Sequence, residues 1–139
     1  MFRSLLAILA GLATLTIASF AIEALADPLL MHLFPRSLPD AAALSHSLAA
    51  NLVMFTYTFA AIVLGGYVTA WTAARAKVRH AVIMGVIEAA FTVWLLSTRF
   101  HQPLLASAIK GVIVCIPSAW LGGFLFSKWP AATAGRQPA

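Results

Sequence analysis

Apolar residues in this chain neither alternate nor recur as a narrow stripe; they run on. Four stretches, residues 4–26, 48–70, 80–97 and 103–126, are almost continuously apolar, and the segments between them hold most of the Pro, Lys, Arg and His. A hydrocarbon core about 30 Å thick is crossed by about 20 such residues in a helix rising about 1.5 Å each. In lipid a helix also satisfies its own backbone polar groups, which a single strand does not. The pattern predicts an all-α fold, an integral membrane four-helix bundle, with residues 1–129 forming one transmembrane domain.

The connecting segments carry their own signals. Residues 27–47 read as a loop, because Pro28, Pro35 and Pro39 are expected to break regular structure after Asp27. Ser37-Leu38-Pro39-Asp40 then reads as a capping box that opens the second helix, whose first turns either project from the membrane or bend near Ser45 to Ser47. Residues 130–139 are Ala, Gly, Pro and polar residues with no reason to order.

Within each span the small residues recur three and four apart. Ser4, Ala7, Gly11, Thr14, Ala18 and Ala21 form such a line in span one, and Ala61, Gly65, Thr69 and Ala73 in span two. Ala81, Gly85 and Ala89 do so in span three, and Ser107, Gly111, Cys115, Ser118 and Gly122 in span four. Lipid gives helices no hydrophobic reason to associate, so close backbone approach at Gly11, Gly65, Gly85, Gly111 and Gly122 is the expected packing device. Pro117 adds a kink in span four, since it cannot donate to the carbonyl four residues back.

Composition agrees, because 62% hydrophobic against 9% charged residues leaves too little polar surface to coat a soluble particle of 139 residues. Eight of the nine Lys and Arg lie outside the apolar stretches, so the basic balance reads as topology charge and not as a nucleic-acid surface. Arg3, Arg75, Lys77, Arg79, Lys128 and Arg136 fall on one side of a four-span arrangement, and Arg36 and Arg99 on the other. The basic excess places both termini and the turn at 73–79 in the cytoplasm. A competing reading of span one is a secretory signal, with Arg3 as the basic start and Ala24-Leu25-Ala26 as a small-residue cleavage site. Trp and Tyr near the expected boundaries serve as interfacial anchors.

Three ionisable residues stand against this apolar background: Glu23, Glu88 and Lys110. A charge at depth costs at least about 2.5 kcal/mol and is usually paired or faces water. Counting about 1.5 Å per residue, Glu88 lies near mid-membrane, Lys110 about 10 Å inside the outer boundary, and Glu23 close to that boundary. Thr16, Ser19, Glu23 and Asp27 share one face of span one, roughly opposite its small-residue line. Either Lys110 pairs with Glu88 or Glu23 in a structural knot, or the three line a proton or cation pathway.

Other chemistry is sparse. His32, His46 and His101 fall on the outer side and are outer-face metal candidates, but none has the i, i+4 spacing that presents two imidazoles from one helix. Cys115 is the single cysteine and reads as a packing residue. No catalytic residue and no cofactor is indicated.

The order Gly65-Gly66-Tyr67 with Ala70 and Ala74, a basic turn ending in His80-Ala81, Gly85, then Pro117 and Ala119-Trp120-Leu121-Gly122-Gly123 resembles a group of small uncharacterised four-span proteins of the bacterial inner membrane. The resemblance covers the last three spans. Tyr57 matches a tyrosine of that group, Thr58 stands where it carries arginine, and Asp27 with His32 echoes an Asp before a His after span one. It implies a multi-pass protein of the bacterial inner membrane and implies no activity. The leading expectation is a non-enzymatic accessory, assembly or oligomeric component that meets lipid and either its own copies or another membrane protein. The alternatives are a small proton- or cation-coupled transporter using Glu23, Glu88 and Lys110, and an enzyme acting on a lipid or quinone at the outer interface.

Overall fold

A computed structural model describes residues 2–34, 47–98 and 104–128, without the side chains of 2, 48–50 and 104–111. Every element among them is an α-helix: α1 Phe2–Leu33, α2 Leu48–Thr72, α3 Lys77–Thr98 and α4 Leu104–Lys128. Three are long and apolar enough to cross a membrane, over Arg3–Leu33, Asn51–Thr72 and Lys77–Thr98. In α4 the part with described side chains, Val112–Lys128, is shorter, although its 25-residue backbone reaches about 37 Å at the helical rise of about 1.5 Å. Leu5, Ile17, Phe20, Phe55, Phe91, Ile113 and other large apolar side chains stand exposed on the outside of the bundle. An exposed apolar face on every helix is a surface made for lipid.

The helices form a bundle in which α4 lies between α2 and α3, and α1 packs on α2 with a slighter contact to α3. Among the described residues no contact joins α1 to α4. Small residues make the tight contacts. A Cβ on Gly11 would collide with Thr69 Oγ1 and lie 2.7 Å from the Gly65 carbonyl oxygen. A Cβ on Gly122 would overlap the Val63 carbonyl, and one on Gly85 would stand 2.9 Å from the Cys115 carbonyl. Ile62, Met84, Thr69 and Ser118 are the largest side chains buried between these seams. The hydroxyls of Thr69 and Ser118 donate to carbonyls of their own helix, Gly65 at 2.9 Å and Val114, so neither is an unpaired polar group in the core.

Two expectations need correction. The loop expected from residue 27 begins later, because α1 continues through Pro28 to Leu33 and Phe34 N–H still donates to the Leu30 carbonyl at 3.0 Å. Proline removes only its own N–H, and in an apolar setting each remaining helical bond is worth keeping, so one lost donor does not end the helix. The small-residue line of span one also stops contributing before its end: Ala7 and Gly11 are buried, Ala18 is half-buried and Ala21 is exposed. No residue of α1 after Leu15 is fully buried, so the helix packs closely by its first half and more loosely along its second, where Ala18 still touches the core.

The turn between α2 and α3 is tight, and Ala76 takes φ 48° to make it. His80 Nδ1 lies 3.0 Å from the Ala76 carbonyl, Lys77 Nζ sits 4.6 Å over the Phe126 ring, and Tyr67 meets that ring edge-on with centroids 5.2 Å apart. These contacts tie the basic end of the bundle together. The Ser37 to Asp40 capping box and the tail at 130–139 lie outside the described residues.

Candidate functional site

The looser packing of α1 leaves a crevice of about 380 Å³ against α2 and α3. From α1 it is lined by Leu12, Leu15, Thr16, Ser19, Phe20 and Glu23, from α2 by Thr58, and from α3 by Ile87, Glu88 and Phe91. A second hollow of about 390 Å³ shares Phe20 and Glu23 and continues along α1 past Ala24 to Asp27 and Pro28. Glu23, Glu88, Thr16 and Ser19 are thus brought to one space, with Asp27 next to it.

Contacts between the helices set the depth of each group. Gly65 meets both Gly11 and the Met84 side chain, which puts residues 11 and 84 at one level of the bundle. At about 1.5 Å per residue Glu88 is then about 6 Å above that level, Thr16 about 8 Å, Thr58 about 10 Å, Ser19 about 12 Å and Glu23 about 18 Å. The polar atoms are therefore strung along the helix axis in a ladder, with carboxylates near its two ends. Glu88 is the lowest polar group of the ladder; Leu12 lines the crevice below it, and Leu15, Ile62 and Met84 belong to the buried core alongside. Phe20 and Phe91, which line the crevice from α1 and α3, are 67% and 52% exposed, so their flank of it faces outward.

Polar groups in this region want donors. The Thr16 hydroxyl gives its proton to the Leu12 carbonyl at 2.8 Å, so its oxygen can only accept from anything else. Asp27 Oδ1 is buried and has no hydrogen-bond partner. Among the described residues no Lys, Arg or His forms an ion pair with Glu23, Glu88 or Asp27; the side chain of Lys110 lies outside the description. Tyr57 lies near enough to Glu23 and Asp27 to feel their charges, and Cys115, whose thiol is 3.8 Å from Thr92 Oγ1, lies near Glu88.

Other sequence candidates disperse. His32 is exposed at the end of α1, while His46 and His101 lie outside the described residues, and no metal-holding group of three ligands occurs among those that are described. Gly11, Gly65, Gly85 and Gly122 lie in the helix seams; the surroundings of Gly111 are outside the description.

No protein-family model matches the chain, and no curated protein or solved structure is significantly similar to it. What the arrangement does rests on its own chemistry.

Sequence reasoning singled out Glu23, Glu88 and the polar stripe of α1 but passed over Phe20, Thr58, Ile87 and Phe91. A signal existed for Phe20, which follows Thr16 by four and precedes Glu23 by three, on one helical face. For Thr58 the hints were a hydroxyl in a run of aromatic residues and its place where the resembled group carries arginine.

Proposed function

We propose that this is a non-enzymatic multi-pass protein of the bacterial inner membrane, crossing four times with both termini cytoplasmic, that takes up a cation or proton in the crevice between α1 and α3 as a small cation- or proton-coupled transporter. One observation carries the reading: Glu23 and Glu88 line one open space with three hydroxyl-bearing residues, and no described cation neutralises them. A carboxylate such as Glu88, set within an apolar helix with no described cation beside it, costs at least about 2.5 kcal/mol, a cost that a positive charge able to come and go would offset. Thr16, Ser19 and Thr58 supply intermediate steps on the ladder, Glu23 the entry and Glu88 the innermost site. Passage beyond Glu88 would require the buried Leu15 and Met84 to part.

The accessory or assembly role has less support, because Gly11, Gly65, Gly85 and Gly122 are taken up by contacts inside the bundle. An interfacial enzyme would rest on the Asp and His residues of the outer side, of which Asp27 and His32 are among the described residues. Reconstituted in proteoliposomes with a pH-sensitive dye inside, the protein should pass protons or a monovalent cation, and Glu88→Gln and Glu23→Gln should each reduce the flux at least about tenfold while circular dichroism stays helical. Wild-type protein with no flux above empty vesicles would end this reading.

A further inference from the structure

The crevice is poorly made for an inorganic cation. A metal ion of hard type gathers six or more oxygens at one point, whereas here the carboxylates of Glu23 and Glu88 are separated by about 12 Å along the helix axis and the described residues hold no cluster of three ligands. Apolar surface fills the space between the oxygens: Leu12, Leu15, Phe20, Ile87 and Phe91 share the lining with the acids. Its volume of about 380 Å³ falls within the range of about 300–1,000 Å³ usual for pockets that bind small organic molecules through apolar walls and a few polar anchors. The anchors match one chemistry. Glu23 and Glu88 offer negative charge, the Thr16 oxygen is left only acceptor capacity by its bond to Leu12, and an ammonium offers only donors and positive charge. Phe20 and Phe91 add ring faces at the open flank, where a cation is attracted and an apolar body is shielded.

We infer that the ligand of this crevice is an amphiphilic organic ammonium, its charged nitrogen held by Glu88 and its apolar body between Phe20 and Phe91, entering sideways from the lipid between α1 and α3. The inference rests on the cation-uptake reading of the same site and narrows its substrate class. Entry from the flank follows from the exposure of Phe20 and Phe91 in the crevice lining and of α1 after Leu15.

The test is a calorimetric titration of phenethylammonium into the protein in lipid nanodiscs, with phenethyl alcohol as the neutral analogue of the same shape and sodium chloride as the inorganic control, each corrected for empty nanodiscs. Saturable binding of the ammonium is expected, weakened at least about tenfold by Glu88→Gln, with the alcohol and sodium bound at least about tenfold more weakly. Ser19→Leu, which fills the crevice in the loosely packed half of α1, should weaken it to the same degree and keeps the test decisive if Glu88→Gln fails to fold. Equal affinity for the alcohol, no binding, or binding indifferent to both substitutions would overturn the inference. Proton or cation flux that depends on Glu23 and Glu88 without ammonium binding would sink this inference and leave the transport reading standing; ammonium binding without any flux would do the reverse.

Discussion

Replacing Gly122 by alanine puts the α2–α4 seam to a quantitative test. The new methyl would overlap the Val63 carbonyl oxygen and lie 2.8 Å from Tyr67 N, where ordinary contact begins at 3.4 Å. Both obstacles are backbone, so no side chain can swing aside, and the helices must separate by more than about half an ångström. A gap of that size forfeits about a quarter to a half of each contact worth about 0.1–0.2 kcal/mol, and over about 50 atom pairs along the seam the loss is about 2–3 kcal/mol. Alanine returns up to about 1 kcal/mol of helix propensity. The net expectation is a destabilisation of about 2 kcal/mol, within the range of about 1–3 kcal/mol typical of overpacked cores. Unfolding by sodium dodecyl sulfate in mixed micelles, followed by circular dichroism, measures it. Ala60→Leu, on an exposed surface of α2, is the control and should change stability by less than about 0.5 kcal/mol. A Gly122→Ala protein as stable as wild type would refute the close approach of α2 and α4.

Ala76→Gly should stabilise the protein, since an L-residue at φ 48° bears about 1–2 kcal/mol of strain that glycine escapes at an entropic cost of about 0.5–1 kcal/mol; a midpoint moved to lower detergent concentration would contradict this. Cysteine labelling in a Cys115→Ala background tests the lean of α1. In mild detergent Ala21→Cys, on the exposed part, should react with a maleimide at least about ten times faster than Ala7→Cys, which replaces a fully buried side chain. Equal rates would mean that α1 is held along its whole length. The wild-type thiol of Cys115, 3% exposed as a residue, should stay unlabelled until the bundle is unfolded.

How much of this was legible in the chain depends on range. Apolar runs of span length are a local property, and helices follow from them because lipid leaves the backbone no other partner; Gly11, Gly65, Gly85 and Gly122 were legible as places of close approach for the same reason. The persistence of α1 through Pro28 was less so, since the spacing of prolines signals a break without saying whether the remaining bonds outweigh it.

Glu23, Glu88, Thr16, Ser19 and Asp27 could be picked out one by one, because a polar group in an apolar run is conspicuous wherever it points. That Glu23 and Glu88 share a crevice is a tertiary fact. It requires α1 to adjoin α3 and to be fully buried only as far as Leu15, although Ala18 and Ala21 continue the small-residue spacing as if the seam ran on. Spacing along one helix defines a face; which neighbour that face meets, and for how many turns, is decided by the crossing of whole helices and by where bulky groups such as Phe20 and Phe91 hold them apart. The sequence alone determined four helices and which side chains are expensive in lipid, whereas only the packing of α1 against its neighbours decided that those side chains surround a common space.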